Sequence, residues 1–372
     1  MKRILAAVVT LIPLIAIVFW LLHSMVPPMT FAVRSHGPEG ANLKAVSSIT
    51  RSPDGSVVLT VSDNKKLQLW DSSTGTSLRE IESAGNEWLS SPSFAPDGSS
   101  FAAVDSVSEF RQQVGKVVFW NAQTGERVAT IENIDWPHTV KINASGTWAA
   151  VGGNPDLYLL DIATHQVIAT AAKAHTNGPA QAIDFSPSGD LLATAGRDGL
   201  VKLWHLPDLR PVRSFSVAET VRPRRPSEGP VTVAAISVAF SHDGATLAAA
   251  TTEDSVYFWD VQTGKEMEKY LASEPLPDHS FPSGLANALA FTADDEWVLT
   301  TDPAGTALCL LSPRSHKEYS TAISTGSDAR IVAMDSSASD GSVAIAYREY
   351  HPGVSGPPSS KFSIWSLAST SK

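Results

Sequence analysis

With 372 residues, 43% of them apolar, the chain is long enough to bury a sizeable core, and its length allows one large β domain or two smaller ones. A formal charge of −10 argues against a surface built to neutralise phosphate backbones, so nucleic acid is not an expected partner. The single cysteine, Cys309 in ALCLL, leaves no intrachain disulfide and no thiolate metal cage within this chain, and its apolar setting reads as a buried core thiol.

The chain opens with Met-Lys-Arg and then runs without charge from Ile4 to Leu22, ILAAVVTLIPLIAIVFWLL. As a helix this run would extend roughly 28 Å, close to the thickness of a bilayer core. It exceeds the roughly 7 to 15 apolar residues of a signal peptide and no A-x-A site follows, so the expectation is a retained membrane anchor over residues 1–22. Pro13 is compatible with a membrane helix. Lys2 and Arg3 before the span keep the N-terminus cytoplasmic and place the body outside the cytoplasm. The alternative is cleavage, with a secreted or periplasmic product. Residues 23–28 read as a linker ending in Pro-Pro, and Met29 to Ser35, MTFAVRS, as an extended segment.

From there one pattern recurs seven times. A turn rich in Gly or Asp is followed by two short strands. The turns are SPDG at Ser52, APDG at Ala95, NASG at Asn143, SPSG at Ser186, SHDG at Ser241, TADD at Thr292 and ASDG at Ala338. The next strand is rich in β-formers or alanine (VVLTVS, TWAAVG, LLATAG). The one after it reads LQLWD, VVFWN, LYLLD, VKLWH, VYFWD, ALCLL or FSIWS. A second tight turn, as in DSSTG or DVQTG, then leads to a further strand such as TSLREIE or KEMEKYL. The unit is four antiparallel strands in about 40 to 55 residues, a period that marks sheets arranged radially in a closed ring.

The stretch SPSGDLLATAGRDGLVKLWH, Ser186 to His205, resembles the core of the WD-repeat β-propeller family, and the pattern covers nearly everything after residue 29. Trp70, Trp120, Trp204, Trp259 and Trp365 keep the third-strand tryptophan, whereas Leu160 and Leu310 replace it in two degenerate blades. The last repeat ends after FSIWS, with LASTSK as a polar tail, so strand 29–35 is expected to supply the missing outer strand, a closure the resemblance implies. The fold expectation is therefore all-β: a seven-bladed propeller over residues 29–372, with four-stranded antiparallel blades and an N-terminal transmembrane helix.

His175, Thr194, Asp198 and Trp204 match the family's hydrogen-bonded tetrad, so the resemblance implies a structural role for them and not a nucleophilic triad. Buried Asp, His and hydroxyl groups must satisfy one another. No HExxH, GxSxG or phosphate-binding glycine loop occurs. The SDNK at Ser62 to Lys65 occupies a tight turn, and the ten histidines are scattered singly. No catalytic residue, metal or cofactor is expected.

In a four-stranded blade, first-to-second and third-to-fourth strand turns share one face of the disc, and the remaining turns and blade connections share the other. The long segments, Asp105 to Lys116, Val217 to Thr232, Leu271 to Gly284 and Arg348 to Lys361, all fall on the second face, which marks it as the binding face. Its candidate contact residues are Trp88, Trp136, Arg222, Arg224, Arg225, Tyr350 and His351, residue types that dominate interface hot spots. In the plainer reading the two tryptophans plug the ring's end and the arginines sit in a solvated loop. Asn143 in NAS also fits a glycosylation acceptor, although it forms a blade turn. The expected function is a membrane-anchored, non-catalytic scaffold that binds protein partners through the inserted-loop face. The alternative is a propeller enzyme or small-ligand sensor with its site at the central channel.

Overall fold

The computed structural model describes residues 29–36, 46–62, 66–82, 89–106, 114–217, 220–221, 231–253, 255–270, 289–301, 305, 307–315, 317–322, 329–336, 342–349 and 359–369. The expected anchor and linker, residues 1–28, lie outside them, and among the described residues no helix is long and apolar enough to cross a membrane.

Seven four-stranded antiparallel sheets follow one another along the chain and form the blades of a propeller. Six are built in sequence order: Val46 to Glu82, Leu89 to Asp135, Thr139 to Ala171, Ala180 to Ser216, Ala235 to Tyr270 and Ala290 to Ala322. The seventh takes three strands from Ala329 to Ser369, and its outer strand is Met29–His36, paired antiparallel with Ser359–Ser369. That last strand is longer than FSIWS suggests. Leu367, Ala368 and Ser369 of the expected polar tail pair with Phe31, Thr30 and Met29. A two-stranded ribbon, Thr220–Val221 with Val231–Thr232, sits in the connection between blades four and five.

The second and third strands of each sheet are largely buried on both faces, so they alternate between two cores. In blade four, Leu192 and Trp204 pack with Leu157 and Leu159 of blade three, whereas Ala193 and Leu203 pack with Phe240, Tyr257 and Trp259 of blade five. Among the described residues seven such clusters occur, one at each blade junction, and the one joining Phe362 and Ile364 to Val58 and Trp70 closes the ring. Trp70 and Phe362 meet there with ring centroids 5.6 Å apart. The alanine-rich second strands leave room for these aromatic rings where the sheets converge.

The tight turns also join blades. At three junctions the Gly of one turn lies against the Pro of the turn before it: a Cβ on Gly98 would meet Pro53 at 3.8 Å, one on Gly146 would meet Pro96 at 3.0 Å, and one on Gly244 would meet Pro187 at 3.6 Å. Between blades five and six that pair is replaced by His242 and Asp295. Asp295 takes the left-handed position (φ 55°) that Gly55, Gly98, Gly146, Gly189 and Gly244 hold in the corresponding turns, a conformation Asp tolerates better than most residues. Its carboxylate accepts the His242 amide (2.7 Å), the Asp243 amide (2.8 Å) and His242 Nδ1 (2.8 Å). Asp295→Gly keeps the backbone conformation but leaves these donors without their acceptor, and is expected to lower the thermal stability by about 1–3 kcal/mol in a calorimetric melt.

Candidate functional site

Blade four brings His175, Thr194, Asp198 and Trp204 together. His175 precedes the inner strand Ala180–Phe185, Thr194 lies in Leu191–Gly196, Asp198 in the following turn and Trp204 in Leu200–His205. His175 Nδ1 is 2.8 Å from Asp198 Oδ1, His175 Nε2 is 2.9 Å from Thr194 Oγ1, and the Trp204 indole N–H donates to Thr194 Oγ1 at 3.0 Å. A carboxylate only accepts, so the imidazole donates from Nδ1 to Asp198, and its Nε2 is paired with the Thr194 hydroxyl. The hydroxyl–imidazole–carboxylate order is that of a nucleophilic triad. Access is what differs: His175 and Thr194 are both 0% exposed, and the Thr194 oxygen already accepts the indole N–H. A hydroxyl sealed in this way cannot reach a substrate carbonyl.

Two further residues complete the group. Lys202 donates to the Ala174 carbonyl and lies 3.9 Å from Asp198 Oδ2. It stands two residues before Trp204 on one strand, so period-2 alternation puts both side chains on one face. Gly196 makes room for the imidazole, since a Cβ there would fall 2.0 Å from His175 Nδ1. Burial pushes the Asp198 carboxyl up, but the hydrogen bond and charge of His175, the Thr176 amide and the Lys202 charge outweigh it and bring its pKa down to about 2. Blade one keeps one bond of this group, from Trp70 Nε1 to Thr60 Oγ1 at 2.9 Å.

Polar side chains of the inner strands are used at the blade junctions. Asp184 Oδ2 accepts the Phe240 amide of the next blade (2.8 Å), Ser93 Oγ the Ile142 amide (3.0 Å), and Asp335 Oδ2 the Arg51 amide (2.8 Å) across the closure. Among the described residues no group of three or more His, Cys, Asp or Glu side chains is arranged to hold a metal ion.

Of the candidate contact residues, Trp88, Arg222, Arg224, Arg225, Tyr350 and His351 lie outside the described residues. Trp136 is described and is 47% exposed in the connection from blade two to blade three. Its φ of 34° is unusual for a bulky side chain. The neighbours hold it there, because the Asp135 carbonyl accepts the Asn154 amide (2.9 Å) and the His138 amide donates to Gly152 (2.8 Å). Arg197, exposed in the turn before Asp198, is on the same face and was not anticipated. Asn143 does not offer itself for glycosylation: it is 4% exposed, its Oδ1 accepts the Thr147 and Trp148 amides, and its Nδ2 donates to Ser145 and Thr147.

Three segments, residues 34–71, 166–205 and 228–260, match the family model described as WD domain, G-beta repeat. They cover strands of blades one, four and five together with the outer strand of blade three, Gln166–Ala171, and the end of the outer strand of blade seven, within a ring of seven four-stranded blades, and the chain is a member of the WD-repeat β-propeller family. Its relatives include the Periodic tryptophan protein 2 homolog of Schizosaccharomyces pombe, 28% identical over 129 residues, which are 34% of this chain and 13% of that protein. The Serine-threonine kinase receptor-associated protein of Gallus gallus is 28% identical over 144 residues, 38% of this chain and 37% of that one. Pre-mRNA-processing factor 19 homolog 2 of Arabidopsis thaliana is 32% identical over 162 residues, 41% and 27% respectively. The chain thus spans no more than 37% of the length of any of these three.

Asp198 accounts for a pH dependence with a definite sign. Its pKa is lowered on folding, so its contribution to stability is present above the unfolded value of about 3.9 and is lost as pH falls toward the folded value of about 2. Asp198→Asn keeps an acceptor but not the charge. The gap in melting temperature between wild type and variant is expected to be widest near neutrality and to close below about pH 4, as followed by circular dichroism.

Proposed function

We propose that this chain is a non-catalytic protein-interaction scaffold that binds a protein partner through the face carrying the blade connections. The observation that carries the reading is Trp136, a large aromatic ring held half exposed on that face by a strained backbone fixed on both sides. Backbone strain that the surrounding structure maintains is a pointer to function, and exposed tryptophan is a preferred anchor at interfaces. The enclosure of His175, Thr194 and Asp198 supports the non-catalytic part. The Gallus gallus relative, by its name, associates with another protein, a receptor-associated role that fits a propeller used as a platform.

We further propose that residues 1–22 anchor the chain in a membrane with the propeller outside the cytoplasm, on the strength of the uncharged run from Ile4 to Leu22 behind Lys2 and Arg3. Retention in the pellet after alkaline carbonate extraction, with the propeller digested by protease added outside intact cells, is the expected behaviour. Release of a soluble propeller, or its protection, contradicts the anchor or the orientation respectively.

The face is tested by placing a photo-crosslinking amino acid at position 136 and, separately, at Thr124 in the tight turn on the opposite face. Partner adducts are expected from position 136 and not from 124. Trp136→Ala should weaken binding of the captured partner by about tenfold or more without moving the melting temperature downward. Adducts from 124 alone would refute the assignment.

A further inference from the structure

The face opposite Trp136 carries a groove that the scaffold reading does not use. It lies between blades one and two and encloses about 450 Å3, within the size range of binding clefts. Val57, Leu69, Phe94 and Ala122 form its apolar floor, and Leu78, 53% exposed, borders it. Leu78 is exposed for a structural reason. Leu69 pairs with Arg79 and Trp70 with Ser77, so Leu78 is the extra residue of a β-bulge and has no cross-strand partner. The outer strands of blades two to five bulge at the same place, and there too the extra residue, Val128, Ile168, Val212 or Met267, is exposed.

The walls carry charge. Asp54 and Asp97 stand on the two turns that flank the groove. The Ser52 hydroxyl, then the Ser56 amide and hydroxyl, hold the Asp54 carboxyl below its ordinary value, and the Ser99 amide and hydroxyl do the same for Asp97. Each Oδ2 accepts one bond, from Ser56 Oγ and Ser99 Oγ, both at 2.8 Å, which leaves acceptor capacity at both carboxylates. Arg79 is the one cation among the lining residues, and its stem is laid across the blade-two turn, where its Cδ would lie 2.6 Å from a Cβ on Gly125. Two carboxylates against one guanidinium leave the groove negative around an apolar floor.

We propose that this groove docks an extended protein segment in which an apolar side chain is flanked by lysine or arginine. The apolar side chain covers Leu78 and the floor, and the flanking cations pair with Asp54 and Asp97. This is a second docking surface, independent of the blade-connection face.

The test is fluorescence anisotropy with the purified full chain and three labelled Gly-Ser dodecamers carrying Lys-Leu-Lys, Glu-Leu-Glu or Lys-Ser-Lys at their centre. The Lys-Leu-Lys peptide is expected to bind saturably and about tenfold or more tighter than either control, losing a similar factor in Leu78→Ser and in Asp54→Asn with Asp97→Asn. Trp136→Ala should leave its affinity unchanged, which separates failure here from failure of the scaffold face. Leu78 is largely exposed and the Asn side chains still accept the turn amides, so these variants are expected to stay folded, which their melting curves check. No binding, equal binding of the three peptides, unaltered affinity in the groove variants, or loss in Trp136→Ala would each overturn the proposal.

Discussion

The inner strand of every blade is an edge strand, and no blade has a face it can leave in water. Those two facts make closure of the ring the constraint on which the rest of the molecule depends. Leu192 and Trp204 need blade three while Ala193 and Leu203 need blade five, so each sheet is completed only by both neighbours. The open edges are managed in the same way. Asp184, Ser93 and Asp335 each supply an acceptor to an amide of the next inner strand, which would otherwise be a buried donor without a partner. At the seam the constraint falls on segments more than 300 residues apart in sequence, Met29–His36 beside Ser359–Ser369.

That constraint also decides where chemistry can occur. A hydroxyl, an imidazole and a carboxylate in line are competent for nucleophilic catalysis in the open, but in blade four they are packed under neighbouring strands and act on one another. They fix the loop before the inner strand to the turn after the second, with Lys202 bridging back to Ala174. What remains available to other molecules is what the blades do not need for themselves: the connections on one face, where Trp136 is held out, and the junction between turns on the other, where Leu78 is pushed out by a bulge.

Much of the architecture was legible because it rests on local rules repeated seven times. Gly or Asp turns and alternating strands follow from backbone geometry at short range, and the third-strand tryptophan marks five of the seven copies, so one good copy in Ser186 to His205 indexes the weaker ones. What was not legible depends on two blades at once. TADD reads as an imperfect turn, and only the position of His242 in the neighbouring blade explains an aspartate in the left-handed slot. NAS satisfies a modification pattern, yet burial of Asn143 and its four hydrogen bonds assign it to the turn. The bulge residues read as ordinary positions in an alternating strand, because a one-residue insertion leaves no mark in composition. The extent of the last strand escaped for a related reason: Leu367 to Ser369 look like a tail until Met29 to Phe31 are placed beside them.

The most direct test of the closure account is native-state hydrogen exchange, read by mass spectrometry at rising denaturant. If closure is the shared constraint, peptides covering residues 29–36 and 359–369 lose protection at the same denaturant concentration as residues 180–205 of blade four, in one cooperative opening. Exchange of the seam at low denaturant while blade four stays protected would contradict the account, since the blades would then hold together without the ring.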